Sequence, residues 1–162
     1  MYKCLVSGTF DPPTMGHMDM INRASKLCDQ LDVCVAKNYS KSSMFTVEQR
    51  MEMLRHDTAH LKNVRVIAFE GHLANFVIEN GYNAMFRGLR SESDFGYEIQ
   101  LEHIYRKFFD GKAETVYLMT DPQYSYISSS IVRENYLLGA DISGWVSEEV
   151  YDLMKKYKKV EL

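Results

Sequence analysis

Residues 8–24, GTFDPPTMGHMDMINRA, decide how the rest of the chain is interpreted. An apolar run at 2–7 precedes them and predicts a buried strand, and the spacing of apolar residues that follows predicts a helix over 16–29. Gly8 lets the backbone at the strand end approach a ligand closely, and His17 stands in the first turn of the helix. Free N–H groups at a helix start favour an anion, and an imidazole beside them can donate to it. The corner therefore predicts a phosphate site, although a histidine that only caps the helix is the plainer interpretation.

Strand and helix patterns alternate along the whole chain. Further strands are predicted at 31–36, 64–69, 84–87 and 115–119, and further helices at 46–59, 73–80, 91–109 and 143–157. Thr46 and Gln49 form a capping box at the start of the second helix. This alternation predicts an α/β fold, a doubly wound parallel sheet with helices on both faces, in a single domain spanning 1–162. Ligands of such sheets bind beyond the carboxyl ends of the strands.

Composition and charge limit the partners. The 162 residues carry a net charge of −3, so we expect no nucleic-acid or membrane partner, and any anion site must be local. The three cysteines do not form a C-x-x-C pair, which favours free thiols in a reducing compartment. No leader pattern precedes the first strand, and no run approaches the ~20 apolar residues of a membrane span. We therefore expect a cytoplasmic protein.

The motifs point to one family. The chain lacks both G-x-x-x-x-G-K-[ST] and G-x-G-x-x-G, whereas TMGH at 14–17 resembles the [TH]-x-G-H signature of the nucleotidyltransferase α/β superfamily. RGLRSESDFGYEIQL at 87–101 and YSYISSSIVRE at 124–134 resemble blocks of the bacterial phosphopantetheine adenylyltransferase family. With GTFDP, MFT and HLANF in the same order, the resemblance covers essentially the whole chain. It implies a Rossmann-like nucleotidyltransferase fold that transfers the adenylyl group of ATP to 4′-phosphopantetheine, giving dephospho-coenzyme A and pyrophosphate.

The resemblance implies three catalytic residues, His17, Lys41 and Arg90. His17 would donate to the α-phosphate as charge builds in the transition state. Lys41, alone in the polar loop NYSKSS, would bind the attacking phosphate, a role that suits a point charge on a flexible stem. The plainer interpretation of Lys41 is a solvated loop lysine. The plainer interpretation of Arg90 is a surface arginine that forms an ion pair with Glu92 or Asp94.

The same resemblance assigns an ATP-binding set to the first strand end, the RGLR turn and the serine turn. Its members are Thr9, Phe10, His17, Gly88, Leu89, Arg90, Glu98, Tyr124, Ser125, Tyr126, Ile127, Ser128, Ser129 and Ser130. The serines stand where a helix should start, so their hydroxyls suit phosphate oxygens or a plain N-cap equally. Glu98 alone would be interpreted as a solvated carboxylate.

The residues assigned to phosphopantetheine are Thr9, Lys41, Leu73 and Arg87. An arginine fork such as that of Arg87 can bridge two phosphate oxygens, whereas a leucine at helical spacing is more often core. Tyr105 and Gly96 depart from the family pattern, which commonly has asparagine and an acidic residue there.

Further expectations concern the cofactor and assembly. We expect Mg²⁺ to accompany ATP, held mainly by the phosphates and water. The resemblance also implies a homohexamer and feedback binding of coenzyme A. The alternatives are a sister adenylyl- or cytidylyltransferase, acting on nicotinamide mononucleotide or glycerol phosphate, and a catalytically silent nucleotide-binding protein. His56 and His60 have a metal-like spacing, but an exposed helix face explains them more simply, so no resident metal site is predicted.

Overall fold

A computed structural model describes residues 1–37 and 42–158. The strands are β1 (Lys3–Gly8), β2 (Gln30–Ala36), β3 (Val64–Phe69), β4 (Ala84–Leu89) and β5 (Glu114–Met119). The helices are α1 (Met15–Ser25), α2 (Val47–Thr58), α3 (Leu73–Glu79), α4 (Glu92–Phe109), α5 (Ser129–Leu137) and α6 (Glu148–Tyr157), with a 3₁₀ turn at Pro122–Tyr124. The strands pair in parallel in the order β3-β2-β1-β4-β5, which confirms the predicted α/β fold.

Helices cover both faces of the sheet. Successive side chains of a strand point to opposite faces, and in β1 the apolar residues on both faces are buried. Cys4 and Val6 of β1 belong to the buried cluster that packs under α1 and α2. Leu5, between them, belongs to a second cluster with residues of α3 and the end of α4. The doubly wound arrangement predicted from the alternation is therefore confirmed.

A third buried cluster joins α2, α5 and α6 beyond the sheet. Met53, Val132 and Met154, one from each helix, lie in it with no exposed surface. The segment before α6 also reaches the start of α1, where the carbonyl of Trp145 accepts a hydrogen bond from the Met15 N–H over 2.8 Å. This packing holds the N-termini of α1 and α5 at the same edge of the sheet.

Two predicted helix boundaries differ from the structure by more than one residue. The helix predicted over 16–29 ends at Ser25, because the chain turns there and the Asp29 N–H bonds to the carbonyl of Tyr2, which starts β2 beside β1. The last helix begins at Glu148 instead of 143, since Ser147 provides its N-cap. The capping box at Thr46 is confirmed, with both reciprocal bonds present. None of the described helices is long and apolar enough to cross a bilayer.

Candidate active site

A cleft of about 380 Å³ opens at the carboxyl ends of β1 and β4. β1 and β4 are neighbours in the sheet, but the chain leaves β1 toward β2 on one side and leaves β4 toward β5 on the other. This is the switch point at which ligands of open α/β sheets bind. The predicted site residues that line the cleft are Thr9, Phe10, His17, Arg87, Gly88, Arg90, Tyr124, Ile127, Ser128, Ser129 and Ser130.

Lys41 lies outside the described residues. The other predicted residues do not line this cleft. Leu73 packs against the cluster under α3 and α4, and Leu89 is buried. Glu98 contacts Arg87 instead of the cleft. Ser125 caps the end of the 3₁₀ turn, and Tyr126 lies on the surface beside Trp145. The roles assigned to all the predicted site residues stay predictions.

A capping box at the start of α1 fixes the imidazole of His17. The Thr14 N–H donates to Nδ1 of His17 over 3.0 Å, and the His17 N–H donates to the Thr14 hydroxyl over 3.3 Å. A backbone amide can only donate, so Nδ1 is the acceptor and carries no proton. The proton of the neutral ring is therefore on Nε2, where it can serve as a donor.

The same surroundings keep His17 uncharged. Burial and the nearby charge of Arg90 lower the pKa of the imidazole from 6.5 to about 4. Both effects disfavour the imidazolium, since burial removes water and Arg90 repels a second positive charge. At neutral pH His17 therefore presents an N–H donor without a net charge.

Phe10 supports the other side of the imidazole. Its ring meets that of His17 edge-on, with centroids 4.9 Å apart, and the residue is almost fully buried. Phe10 has a positive φ of 50°, which folds the ring back over Gly8. A Cβ on Gly8 would lie 3.1 Å from Cζ of Phe10, so any other residue would require the ring to shift.

Two arginines reach the cleft, Arg87 from within β4 and Arg90 from the residue just after it. Arg87 binds the carboxylate of Glu98 through both Nε and Nη2, the second over 2.7 Å. Arg90 pairs with Asp94 in the first turn of α4, with Nε and Oδ2 3.3 Å apart. The ion pair that was the plainer interpretation of Arg90 is thus present, and it leaves Arg90 in the wall of the cleft.

Two buried charges tie the segment after Lys41 to the end of β1. The carboxylate of Asp11 accepts from the N–H groups of Met44 and Phe45, both over 2.9 Å. The guanidinium of Arg50 donates to the carbonyls of Thr9 over 2.6 Å and Phe45 over 3.1 Å. Ser42 and Ser43, the residues just before this anchor, line the cleft. Asp11 and Arg50 therefore fix one wall of the site.

The serine turn forms another part of the cleft wall. Ser128 is the N-cap of α5, and its hydroxyl accepts from the Ile131 N–H over 3.2 Å. Ser129 donates to the carbonyl of Pro12 over 2.8 Å, which holds the N-terminus of α5 against the turn after β1. An α-helix N-terminus favours negative charge, so the turn suits phosphate oxygens in addition to its capping role.

Sequence reasoning missed Asp11, Arg50 and Arg133 as site residues. Arg133 lines the cleft and donates to the carbonyl of Asp11 over 2.5 Å. The position of Arg133, one turn after the serine turn, could have indicated it as a site residue. The position of Asp11 within GTFDP could have indicated Asp11 in the same way. Arg50 offered none, since an arginine in a helical pattern is usually exposed.

The cleft is cationic and offers few metal ligands. Arg87, Arg90 and Arg133 line it, and Asp11 is the carboxylate among its described lining residues. Both oxygens of Asp11 already accept backbone N–H groups. No group of three or more histidine, cysteine or acidic residues in the described ranges is placed to hold an ion. His56 and His60, on and just after α2, do not line the cleft.

Comparison with known proteins agrees with this geometry. The cytidylyltransferase-like family model matches residues 5–135. Phosphopantetheine adenylyltransferase of Finegoldia magna is 44% identical over 95% of this chain and 94% of its own. Those of Staphylococcus carnosus and Campylobacter hominis are 43% and 44% identical, over 95% and 96% of this chain and 95% and 97% of their own. The chain therefore belongs to the cytidylyltransferase-like family, among the phosphopantetheine adenylyltransferases.

Proposed function

We propose that this protein transfers the adenylyl group of ATP to 4′-phosphopantetheine, with dephospho-coenzyme A and pyrophosphate as products. An oxygen of the acceptor's phosphate attacks the α-phosphorus of ATP in line with the departing group. The new bond joins that oxygen to the α-phosphorus, and the bond to the bridging oxygen of the β-phosphate breaks. Pyrophosphate leaves with the electron pair. The attacking phosphate is already an anion, so the reaction needs no covalent enzyme intermediate.

The observation that carries this proposal is the neutral N–H donor of His17 in a cleft lined by three arginines. The protein must bring two anions together and stabilise the charge that develops in the transition state. His17 donates Nε2–H to an α-phosphate oxygen, and Arg90 adds positive charge near it. Arg87 binds the acceptor's phosphate, and the serine turn binds the pyrophosphate that leaves. Lys41, which lies outside the described residues, is proposed to bind the attacking phosphate.

Magnesium is proposed to arrive with ATP. Both oxygens of Asp11 accept backbone N–H groups and Nη1 of Arg133 lies 3.5 Å from Oδ2, which disfavours a cation at this carboxylate. The ion would be held by phosphate oxygens and water, as Mg²⁺ commonly is in nucleotide sites. It would supply further charge neutralisation on the phosphates.

We also propose a homohexamer, feedback binding of coenzyme A in the same cleft and a cytoplasmic location. Exposed apolar side chains on α4 support the assembly, because a face of this kind is usually covered by another surface. They are Phe95, Tyr97, Ile99, Ile104 and Phe108. Light scattering measures the assembly, and competition of coenzyme A with ATP measures the feedback.

The test is an assay with ATP, Mg²⁺ and 4′-phosphopantetheine that follows pyrophosphate and dephospho-coenzyme A together. His17→Ala should lower kcat about 100- to 1000-fold and leave ATP binding largely intact, because the donor acts mainly in the transition state. His56→Ala is the matched control, since His56 is exposed on α2. Unchanged turnover in His17→Ala contradicts the role of His17.

An acceptor panel separates the alternatives. Turnover with nicotinamide mononucleotide or glycerol phosphate, and none with 4′-phosphopantetheine, would make the protein a sister transferase. Binding of nucleotide without turnover of any acceptor would make it a silent binding protein.

A further inference from the structure

Arg87 and Glu98 form a nearly buried ion pair behind the cleft. Arg87 lies in β4, and Glu98 lies in the second turn of α4. Oε1 of Glu98 accepts from Nη2 of Arg87 over 2.7 Å, and Oε2 accepts from Nε. The two side chains are 18% and 10% exposed. Bidentate geometry of this kind fixes the plane of the guanidinium as well as its charge.

The pairing leaves one edge of the guanidinium available. An arginine has five N–H donors, and Glu98 takes one from Nε and one from Nη2. No residue within 1–37 or 42–158 accepts from the other three, which are on Nη1 and Nη2. Arg87 lines the cleft, whereas Glu98 does not. The available edge therefore has the bidentate form that matches two phosphate oxygens.

Residues around the pair hold both partners. The Tyr117 hydroxyl donates to the backbone carbonyl of Glu98 over 3.3 Å, which ties α4 to β5. The Tyr105 ring lies 5.9 Å from Cζ of Arg87 and stacks on Phe109. Burial disfavours the charge on Arg87, but the hydrogen bonds and charge of Glu98 outweigh it and raise the pKa of the guanidinium. Without Glu98, a half-buried arginine would lose both its charge partner and its fixed orientation.

We propose that Glu98 is a positioning residue: it holds one edge of Arg87 so that the other edge receives the phosphate of 4′-phosphopantetheine. The inference rests on the proposed function, in which Arg87 binds the acceptor. It gives Glu98 a different role from the ATP contact that the family resemblance implies. Glu98 then governs acceptor recognition through Arg87.

The two roles predict changes in KM for different substrates: the positioning role affects 4′-phosphopantetheine, and an ATP contact affects ATP. A Glu98→Gln variant distinguishes them. Glutamine keeps the size of the side chain but replaces one acceptor oxygen with an NH₂ group that faces an arginine donor. We expect KM for 4′-phosphopantetheine to rise roughly 10- to 100-fold, because the phosphate-binding edge is misplaced. KM for ATP should change less than about twofold. A rise in KM for ATP alone, or no change in either constant, overturns the proposal.

Glu102→Gln is the matched control. Glu102 lies one turn further along α4 and pairs with Arg106, which does not line the cleft. It should leave both KM values unchanged. Equal losses of thermal stability and equal changes in KM for the two Glu→Gln variants would reduce Glu98 to a structural role and overturn the proposal.

A double-mutant cycle with Arg87→Lys tests the coupling directly. Lysine keeps the charge but has no fork, so Arg87→Lys alone should raise KM for the acceptor by a similar factor. Adding Glu98→Gln should then raise it little further, whereas multiplied effects overturn the proposal. If Glu98→Gln does not fold, Glu98→Asp takes its place in the cycle, since aspartate keeps the charge but shortens the reach. Failure of the proposed function would appear in the wild-type protein, as absence of turnover, and not only in these variants.

Discussion

The Thr14 N–H donates to Nδ1 of His17 over 3.0 Å, and this single bond decides which nitrogen of the imidazole faces the cleft as a donor. In a neutral histidine one ring nitrogen donates and the other accepts. Because Nδ1 accepts, Nε2 donates. The helix cap therefore fixes the donor that we propose for catalysis, so the observed cap and the proposed role of His17 are compatible in one arrangement.

The first prediction concerns the titration of His17. Nitrogen-15 NMR should show a protonated Nε2 and a bare Nδ1 at pH 7, with a midpoint near pH 4 instead of the ordinary histidine pKa of 6.5. The folded pKa lies below the unfolded one, so the unfolded state binds more protons between these values. Stability should therefore fall as the pH drops from 6.5 toward 4. A midpoint near 6.5, or a proton on Nδ1 at pH 7, contradicts the assignment.

How much of this site the sequence predicts depends on the distance along the chain between the partners. Thr14 and His17 are three residues apart, so their cap is visible as a local pattern. Arg50 binds the carbonyl of Thr9, 41 residues away, and Arg133 binds that of Asp11, 122 residues away. Contacts of this kind exist only after the sheet forms, so helical periodicity cannot show them. The same limit applies to Glu98, which a local pattern places on a solvated helix face.

The second prediction concerns a buried carboxylate at the other end of the sheet. Asp32, fully buried in β2, accepts from Arg65 over 2.7 Å, Tyr82 over 2.6 Å and Gln30 over 2.9 Å. Burial alone would raise its pKa, but these hydrogen bonds, with Arg65 first among them, lower it below 3.8. The contribution of Asp32 to stability is thus present above 3.8 and lost as the pH falls through the folded pKa.

Asp32→Asn should accordingly lower the free energy of unfolding by about 1–3 kcal/mol at pH 7. The difference from wild type should shrink as the pH falls below 3.8 toward the folded pKa, because the unfolded chain then binds a proton that folded Asp32 does not. Urea unfolding at the two pH values measures both effects. An equal difference at both would show that the charge of Asp32 is not involved.

The third prediction uses Asp32 as the control for Asp11. Both are buried carboxylates with several donors, but only Asp11 lies at the cleft, where it anchors Met44 and Phe45. Asp11→Asn leaves one of these backbone donors without an acceptor, which should cost about 1–3 kcal/mol of stability. It should also lower kcat about tenfold or more, since the wall formed by Ser42 and Ser43 loses its anchor.

Asp32→Asn should keep wild-type kcat at a temperature where it is folded. Hydrogen exchange of the Met44 and Phe45 amides gives an independent measure, and we expect it to accelerate only in Asp11→Asn. Loss of stability in Asp11→Asn without loss of turnover would show that the anchor serves the fold alone.

The fourth prediction concerns the space between Gly8 and His17. A methyl group at position 8 would lie 3.1 to 3.4 Å from three ring carbons of Phe10. The ring is buried and meets His17 edge-on, so it has little room to yield. Gly8→Ala should therefore cost about 1–3 kcal/mol of stability and move the imidazole, which lowers kcat more than it raises KM for ATP.

Gly96→Ala is the matched change. Gly96 is exposed within α4, and a Cβ there would meet nothing within 4 Å. Alanine at this position should stabilise the helix by about 1 kcal/mol and leave kcat unchanged. If the ring of Phe10 is the obstacle, thermal unfolding should show a loss of stability in Gly8→Ala and a gain in Gly96→Ala. Steady-state kinetics measures kcat of both variants. Wild-type kcat in Gly8→Ala would mean that Phe10 yields without moving His17, and that the imidazole is held by Thr14 alone.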